Sequence, residues 1–152
     1  MIESSLIKKS YFSNKNDGTN LNDIVRSVNS SESILLNVAQ MEQTHGSHIE
    51  QIEAEGIYFS DGIITSKKNV SLVVQTADCM PVLIETDKCI AALHIGWKGL
   101  KNNIFDLAIQ KLTGQNMSVS IGPHAQSCCY EVQKDLAKFF PNEIINRKGK
   151  LY

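Results

Sequence analysis

The sequence predicts an α+β fold, and three observations carry that prediction. Short β-like runs recur through the middle of the chain, among them SLVVQ, PVLIE and IAALHI. After Gly96-Trp97-Lys98-Gly99 the apolar period changes from two to about 3.6, the mark of a helix. Strands mixed with a few helices, rather than strict β–α alternation, favour the α+β class.

The elements follow in order. The first thirty-odd residues are rich in Asn and Ser (NKNDGTNLND, SVNSSES) and are expected to be loop-dominated. Residues 33–39 (SILLNVA) read as a strand, and QMEQTHGSHIEQI then carries two histidines past a glycine. Ile57 to Thr65 is β-like around Asp61-Gly62, a turn signal. Leu72 to Gln75 forms one strand and Pro81 to Glu85 the next. The polar turn Thr86-Asp87-Lys88 leads into Ile90 to Ile95, expected to pair antiparallel with its predecessor. Leu100, Ile104, Leu107, Ala108 and Leu112 share one helical face, with Gly114 as the stop. Val119 to Ile121 is a further strand, and a second helix is expected from about Gln133 to Phe140, ended by Pro141.

At 152 residues the chain is most simply one domain, 1–152. With 15 basic against 16 acidic residues, the net charge of −1 gives no electrostatic reason to expect nucleic acid or an anionic membrane. No apolar run approaches the ~20 residues of a membrane helix, and MIESSLIKKS has no basic-then-apolar leader. The four cysteines (79, 89, 128 and 129) match no disulfide scaffold, so reduced thiols in a cytoplasmic protein are expected. The polar tail 146–150 runs into Leu151-Tyr152 as though another apolar element were beginning, which suggests a truncated domain.

Three predicted strand ends carry reactive side chains: His45 in QTHG, Cys79 in TADCMP and His94 in HIGWKG. Two imidazoles and a thiolate are a standard zinc set that leaves a fourth position open. Spacing by itself also allows Cys79 as a small buried hydrophobe, His94 as a histidine satisfied by one hydrogen bond, and His45 as a surface residue. Asp78 can cap a turn or act chemically beside Cys79. His124, Cys128 and Cys129 form a rival cluster with no further donors near in sequence.

The motifs QTHG, DGIIT, TADCMPV, HIGWKG and IGPHAQSCCYEV occur here in one order, between about Phe12 and Val132. Together they resemble the family once described as multicopper polyphenol oxidase or laccase-like domain proteins, and later as purine nucleoside phosphorylases. The resemblance implies an α/β/β/α sandwich of mixed sheets. It also implies Zn2+ on the His of QTHG, the Cys of TADC and the His of HIGWKG, here His45, Cys79 and His94. The implied activity is phosphorolysis of adenosine, inosine and methylthioadenosine, with adenosine deamination. The partners are then a purine nucleoside and phosphate. Asp78 is the expected acid–base or supporting carboxylate, with Cys79 beside it, and Lys98 and Lys15 are the expected phosphate-binding residues.

The sequence also departs from the family pattern. FSNKNDG stands for FSTRxGG, placing Lys15 where arginine is usual, and Lys98 likewise replaces an arginine. Lysine offers a compact charge where arginine grips phosphate bidentately, so weaker phosphate binding is expected. Family members also continue beyond the point where this chain stops. The zinc deaminase signature, H-x-E with P-C-x-x-C, is absent. Two other functions fit the same residues. Cys79 as nucleophile with His94 as base would give a cysteine hydrolase or amidase, such as a cell-wall precursor editing enzyme. A non-catalytic, truncated zinc-binding relative is the third.

Overall fold

The computed structural model describes residues 1–14, 16–17, 20–32 and 37–152, and for 29–32 the backbone alone. A small antiparallel hairpin, β1 (Ile2–Glu3) and β2 (Tyr11–Phe12), precedes helix α1 (Leu21–Glu32). The strands β3 (Asn37–Met41), β4 (Ile49–Gln51), β5 (Gly56–Tyr58), β6 (Gly62–Thr65) and β7 (Val70–Val73) follow. Next come β8 (Met80–Glu85) and β9 (Ile90–Ile95), then the helices α2 (Trp97–Lys101) and α3 (Ile104–Lys111). The chain closes with β10 (Ser118–Ile121), α4 (Lys134–Ala137) and the two-residue strands β11 (Asn146–Arg147) and β12 (Lys150–Leu151).

Two sheets make the body. One has the order β10-β8-β9-β6-β4, the other β5-β3-β7. Both contain parallel pairs, and the larger mixes them with antiparallel ones. Side chains alternate across a strand, so each strand of the larger sheet feeds two cores. Val82, Ile84, Ile64 and Leu93 point to one face, where they meet Ile104 and Ala108 of α3. Ile63 and Ala92 point to the other, where they meet Ala39 and Met41 of β3. The layers therefore run helix, large sheet, small sheet. This is the mixed-sheet α+β arrangement that the sequence predicted. Among the described residues no helix is long and apolar enough to cross a membrane.

The β8–β9 hairpin forms as expected, in the register Met80 opposite Ile95 through Glu85 opposite Ile90. Its turn is held by Thr86, whose Oγ1 accepts from the backbone N–H of Lys88 and Cys89 at 3.2 and 3.0 Å. Three expectations need correcting. The Asn- and Ser-rich start is not all loop, because α1 occupies twelve of its residues. Asp61-Gly62 does not turn a hairpin: β5 pairs with β3 in the small sheet, and β6 with β4 and β9 in the large one. The helix after Gly99 is two helices, broken at Asn103, which takes a left-handed φ of 55° that asparagine tolerates. Leu100 lies before the break and is 52% exposed, while Ile104 and Ala108 are fully buried. Of the predicted strand 33–39, residues 33–36 lie outside the described part and the remainder falls in β3.

Candidate metal centre

The chain crosses between the two sheets where its chemical residues lie. TADCMP links the end of β7, in the small sheet, to the start of β8, in the large one. His94 is the penultimate residue of β9, opposite Pro81, so Cys79 and His94 sit at the same end of adjacent strands. His45 arrives from the loop between β3 and β4. The donor atoms of His45, Cys79 and His94 all lie within 4.8 Å of one another. Among the described residues this is the one group of three or more potential metal donors. The imidazoles of His45 and His94 meet edge to face, with centroids 4.6 Å apart. His94 is buried, Cys79 half-buried and His45 exposed, so the group opens toward solvent on the His45 side.

A residue the sequence presented only as a turn organises the group. Asp61 is fully buried. Its Oδ1 accepts from the His45 backbone N–H at 2.9 Å and from His94 Nδ1 at 2.8 Å. Its Oδ2 accepts from Thr44 Oγ1 and from the Gly46 N–H, both at 2.7 Å. Its own carbonyl accepts from the His94 N–H at 2.8 Å. Burial alone would push the Asp61 carboxyl up. The hydrogen bonds from His94, Thr44 and Gly46 and the His94 ring outweigh it and hold the carboxyl below the usual aspartate value. An ionised carboxylate only accepts, so His94 carries its proton on Nδ1 and presents the Nε2 lone pair to the cluster.

Asp61 also stabilises an unfavourable backbone. His45 has φ 58°, a left-handed conformation that costs an ordinary side chain roughly 1–2 kcal/mol. Its N–H and that of Gly46 both end on the Asp61 carboxylate, which fixes the turn and aims the imidazole. Two glycines make room. A Cβ on Gly96 would stand 3.2 Å from Cys79 Sγ and 3.6 Å from His45 Cδ2. One on Gly99 would stand 2.9 Å from the Gly46 carbonyl, so glycine there lets α2 close against the His45 turn.

The donor set fits one metal ion. Tetrahedral zinc with bonds of about 2.0 Å to nitrogen and 2.3 Å to sulfur places its ligands roughly 3.3–3.8 Å apart, inside the observed limit. The Cys79 thiol is pushed up by burial first, then by the negative charges of Asp78 and Asp61. That setting is poor for a free thiolate nucleophile, which needs positive surroundings.

The other predicted residues are placed differently. Asp78 is exposed beside Cys79, and the carboxylate that touches His94 is Asp61 instead. Lys98 is exposed on α2, its Nζ 5.7 Å from the Trp97 ring centre. Lys15 lies outside the described residues. His124 is held by the Gly122 carbonyl and by Gln126, each at 2.8 Å, and His48 pairs with Glu50 at 3.6 Å. Tyr130, absent from the sequence-level candidates, is half-buried and close enough to feel the charges of Cys79 and Asp78, which after burial raise its hydroxyl. Asp61 had one signal in the sequence: DGIIT sets a carboxylate directly before an apolar strand with no local partner.

The family described as "Multi-copper polyphenol oxidoreductase laccase" matches residues 6–150. A Rickettsia conorii protein named purine nucleoside phosphorylase is 37% identical over 147 residues, spanning 88% of this chain and 60% of that protein. One from Clostridium acetobutylicum, also named purine nucleoside phosphorylase, is 31% identical over 158 residues, spanning 93% and 66%. In a third of that name, from Aquifex aeolicus, the 37% identical stretch covers 60% of this chain and 46% of the relative. The chain thus spans roughly half to two-thirds of the length of these relatives. Among solved structures, YlmD from Geobacillus stearothermophilus superposes with a TM-score of 0.74 at 22% identity, covering 90% of this chain and 62% of that one. A Neisseria meningitidis protein of the DUF152 family gives 0.72 at 24%, covering 91% and 63%. At these identities the likeness is one of fold.

Proposed function

The chain belongs to the multi-copper polyphenol oxidoreductase laccase family, and from that membership we propose that it is a zinc-dependent purine nucleoside phosphorylase. The observation that carries the proposal is the convergence of the His45, Cys79 and His94 donors within 4.8 Å, beside the names its relatives bear. The copper-oxidase description fits the donors less well. Four histidines in the whole chain, two of them tied to Glu50 and Gln126, do not furnish several copper centres.

In this function His45, Cys79 and His94 hold the zinc ion, which supplies Lewis-acid polarisation when bound. Asp61 keeps the His94 proton on Nδ1 and the His45 turn closed. Cleaving the N-glycosidic bond builds positive charge on the sugar, which an adjacent phosphate stabilises while it attacks. Lys98, one turn-residue beyond Trp97 and with no carboxylate partner among the described residues, draws that phosphate in. Lys15 is proposed for the same task. Asp78 stands next to Cys79 at the exposed side, where its carboxylate takes the acid–base or supporting role beside the metal ligand. Trp97, stacked near parallel on Phe139 at 6.2 Å between centroids, offers an aromatic surface next to Gly96 for a planar base. The substrates proposed are adenosine, inosine and methylthioadenosine, with water replacing the purine amino group of adenosine as a second activity. Residues 1–152 act as one domain in the cytoplasm.

The test is product analysis of zinc-loaded protein incubated with adenosine, with and without phosphate. Adenine and ribose 1-phosphate, formed only when phosphate is present, are the expected products. Inosine formed in either case would support the deaminase activity alone. Adenosine recovered unchanged from folded, zinc-loaded protein would overturn catalysis on nucleosides and favour the non-catalytic zinc-binding alternative. Turnover of an amide substrate that survives a chelator would favour Cys79 as nucleophile.

A further inference from the structure

Cys128 and Cys129 take no part in the function proposed above. Both are exposed, in a surface turn, and their Sγ atoms stand 3.6 Å apart. The turn is pinned by the Gln126 carbonyl, which accepts from the N–H of Cys129 and of Tyr130, both at 2.9 Å, and from Cys129 Sγ at 3.5 Å. The two thiols are thereby presented together rather than splayed.

Their separation restricts what they can do. Adjacent Cα atoms across a trans peptide are about 3.8 Å apart. An ordinary disulfide spans roughly 4.4–6.8 Å between Cα atoms, so the pair is poorly shaped to bridge itself. A single soft atom bonded to both sulfurs is a better match. With bonds of about 2.3 Å, a bent S–X–S unit puts its sulfurs roughly 3.3–3.8 Å apart, whereas a linear one needs about 4.6 Å. The observed 3.6 Å falls in the bent range. A four-coordinate ion would want further protein donors, and among the described residues none joins the pair. His124, the nearest in sequence, is occupied by Gly122 and Gln126. What fits two thiols and nothing else is a thiophilic centre that brings its own third substituent.

We propose that Cys128 and Cys129 form a two-thiol capture site for trivalent arsenicals. In the reaction with phenylarsine oxide, two arsenic–sulfur bonds form and the arsenic–oxygen bonds break. The oxygen leaves as one water carrying both thiol protons, and arsenic stays trivalent with its phenyl group attached. No oxidant or reductant is consumed.

The test treats the full chain with one equivalent of phenylarsine oxide, then with excess glutathione, and measures intact mass and the modified peptide. One adduct is expected, heavier by phenylarsine oxide less one water, on the peptide holding Cys128 and Cys129. Glutathione leaves it in place and a dithiol removes it. Two-point attachment strengthens binding by about 10²–10⁴-fold, so Cys128→Ser and Cys129→Ser should each weaken retention by about 100-fold or more. Cys89→Ser should leave it unchanged. Both replaced side chains in the test pair are exposed, so folding is not at issue. An adduct on Cys79, loss of the adduct to glutathione, or equal retention in the two single-serine variants and the parent would overturn the proposal.

Discussion

Replacing Asp61 by Asn removes one charge and one acceptor from a group that holds four hydrogen bonds. The amide must choose which carboxylate oxygen to replace. If its NH2 takes the Oδ2 position, Thr44 can rotate its hydroxyl to accept, but the half-buried Gly46 N–H loses its partner. If the NH2 takes the Oδ1 position, it faces the His45 N–H and forces His94 to give up its Nδ1 proton. His94 Nε2 would then carry the proton and could not bind metal. The first arrangement costs about 2 kcal/mol, the penalty for one orphaned, half-buried donor plus the loss of charge-assisted bonding. For a chain of this size that lowers Tm by roughly 4–8 °C. Either arrangement weakens the support of His94, so zinc affinity should fall about 10–100-fold. Thermal unfolding of metal-free protein and zinc titration against a competing chelator read the two effects separately. An Asp61→Asn protein with unchanged Tm and zinc affinity within twofold of the parent would refute the role of Asp61 as organiser.

Asp61 also sets a pH dependence. Its folded pKa lies below the unfolded value, so its stabilisation is complete above the ordinary aspartate pKa of about 3.9 and disappears as pH falls through the lower folded value. Urea unfolding should therefore show the parent and Asp61→Asn converging at the acid end and separated at pH 6; a constant gap would contradict this. Cys79→Ser should abolish most zinc binding by elemental analysis, while Cys89→Ser, buried between Thr86 and Thr113, should leave the zinc content unchanged. Equal zinc in the two variants would sink the ligand assignment. Gly96→Ala pushes a methyl group to 3.2 Å from Cys79 Sγ, and zinc affinity should drop by at least tenfold with the fold retained, measured by the same chelator competition. Lys98→Ala should raise the KM for phosphate severalfold without altering zinc content; an unchanged KM would remove Lys98 from phosphate binding.

Some of this molecule was legible in residues and their order. The β8–β9 hairpin, with its polar turn, and the strand after Asn116 are local patterns, because period-two alternation needs only neighbouring residues to be recognised. His45, Cys79 and His94 stood out because each is a donor beside a strand end, and their motifs resembled those of a family. Other features depended on contacts far apart in the chain. Sequence order could not show that β5 and β6, three residues apart, enter different sheets, because that choice is made by partners in β3, β4 and β9. The helix face was misjudged at Leu100 because an apolar period is blind to the break at Asn103. Asp61 was the largest omission. Its four donors come from residues fifteen to seventeen positions earlier and thirty-three later, and next to Gly62 it reads first as a turn aspartate. Residue type decides which side chains can bind a metal. Only the crossing between two sheets decides that three of them meet, and that a buried carboxylate aims the two imidazoles among them.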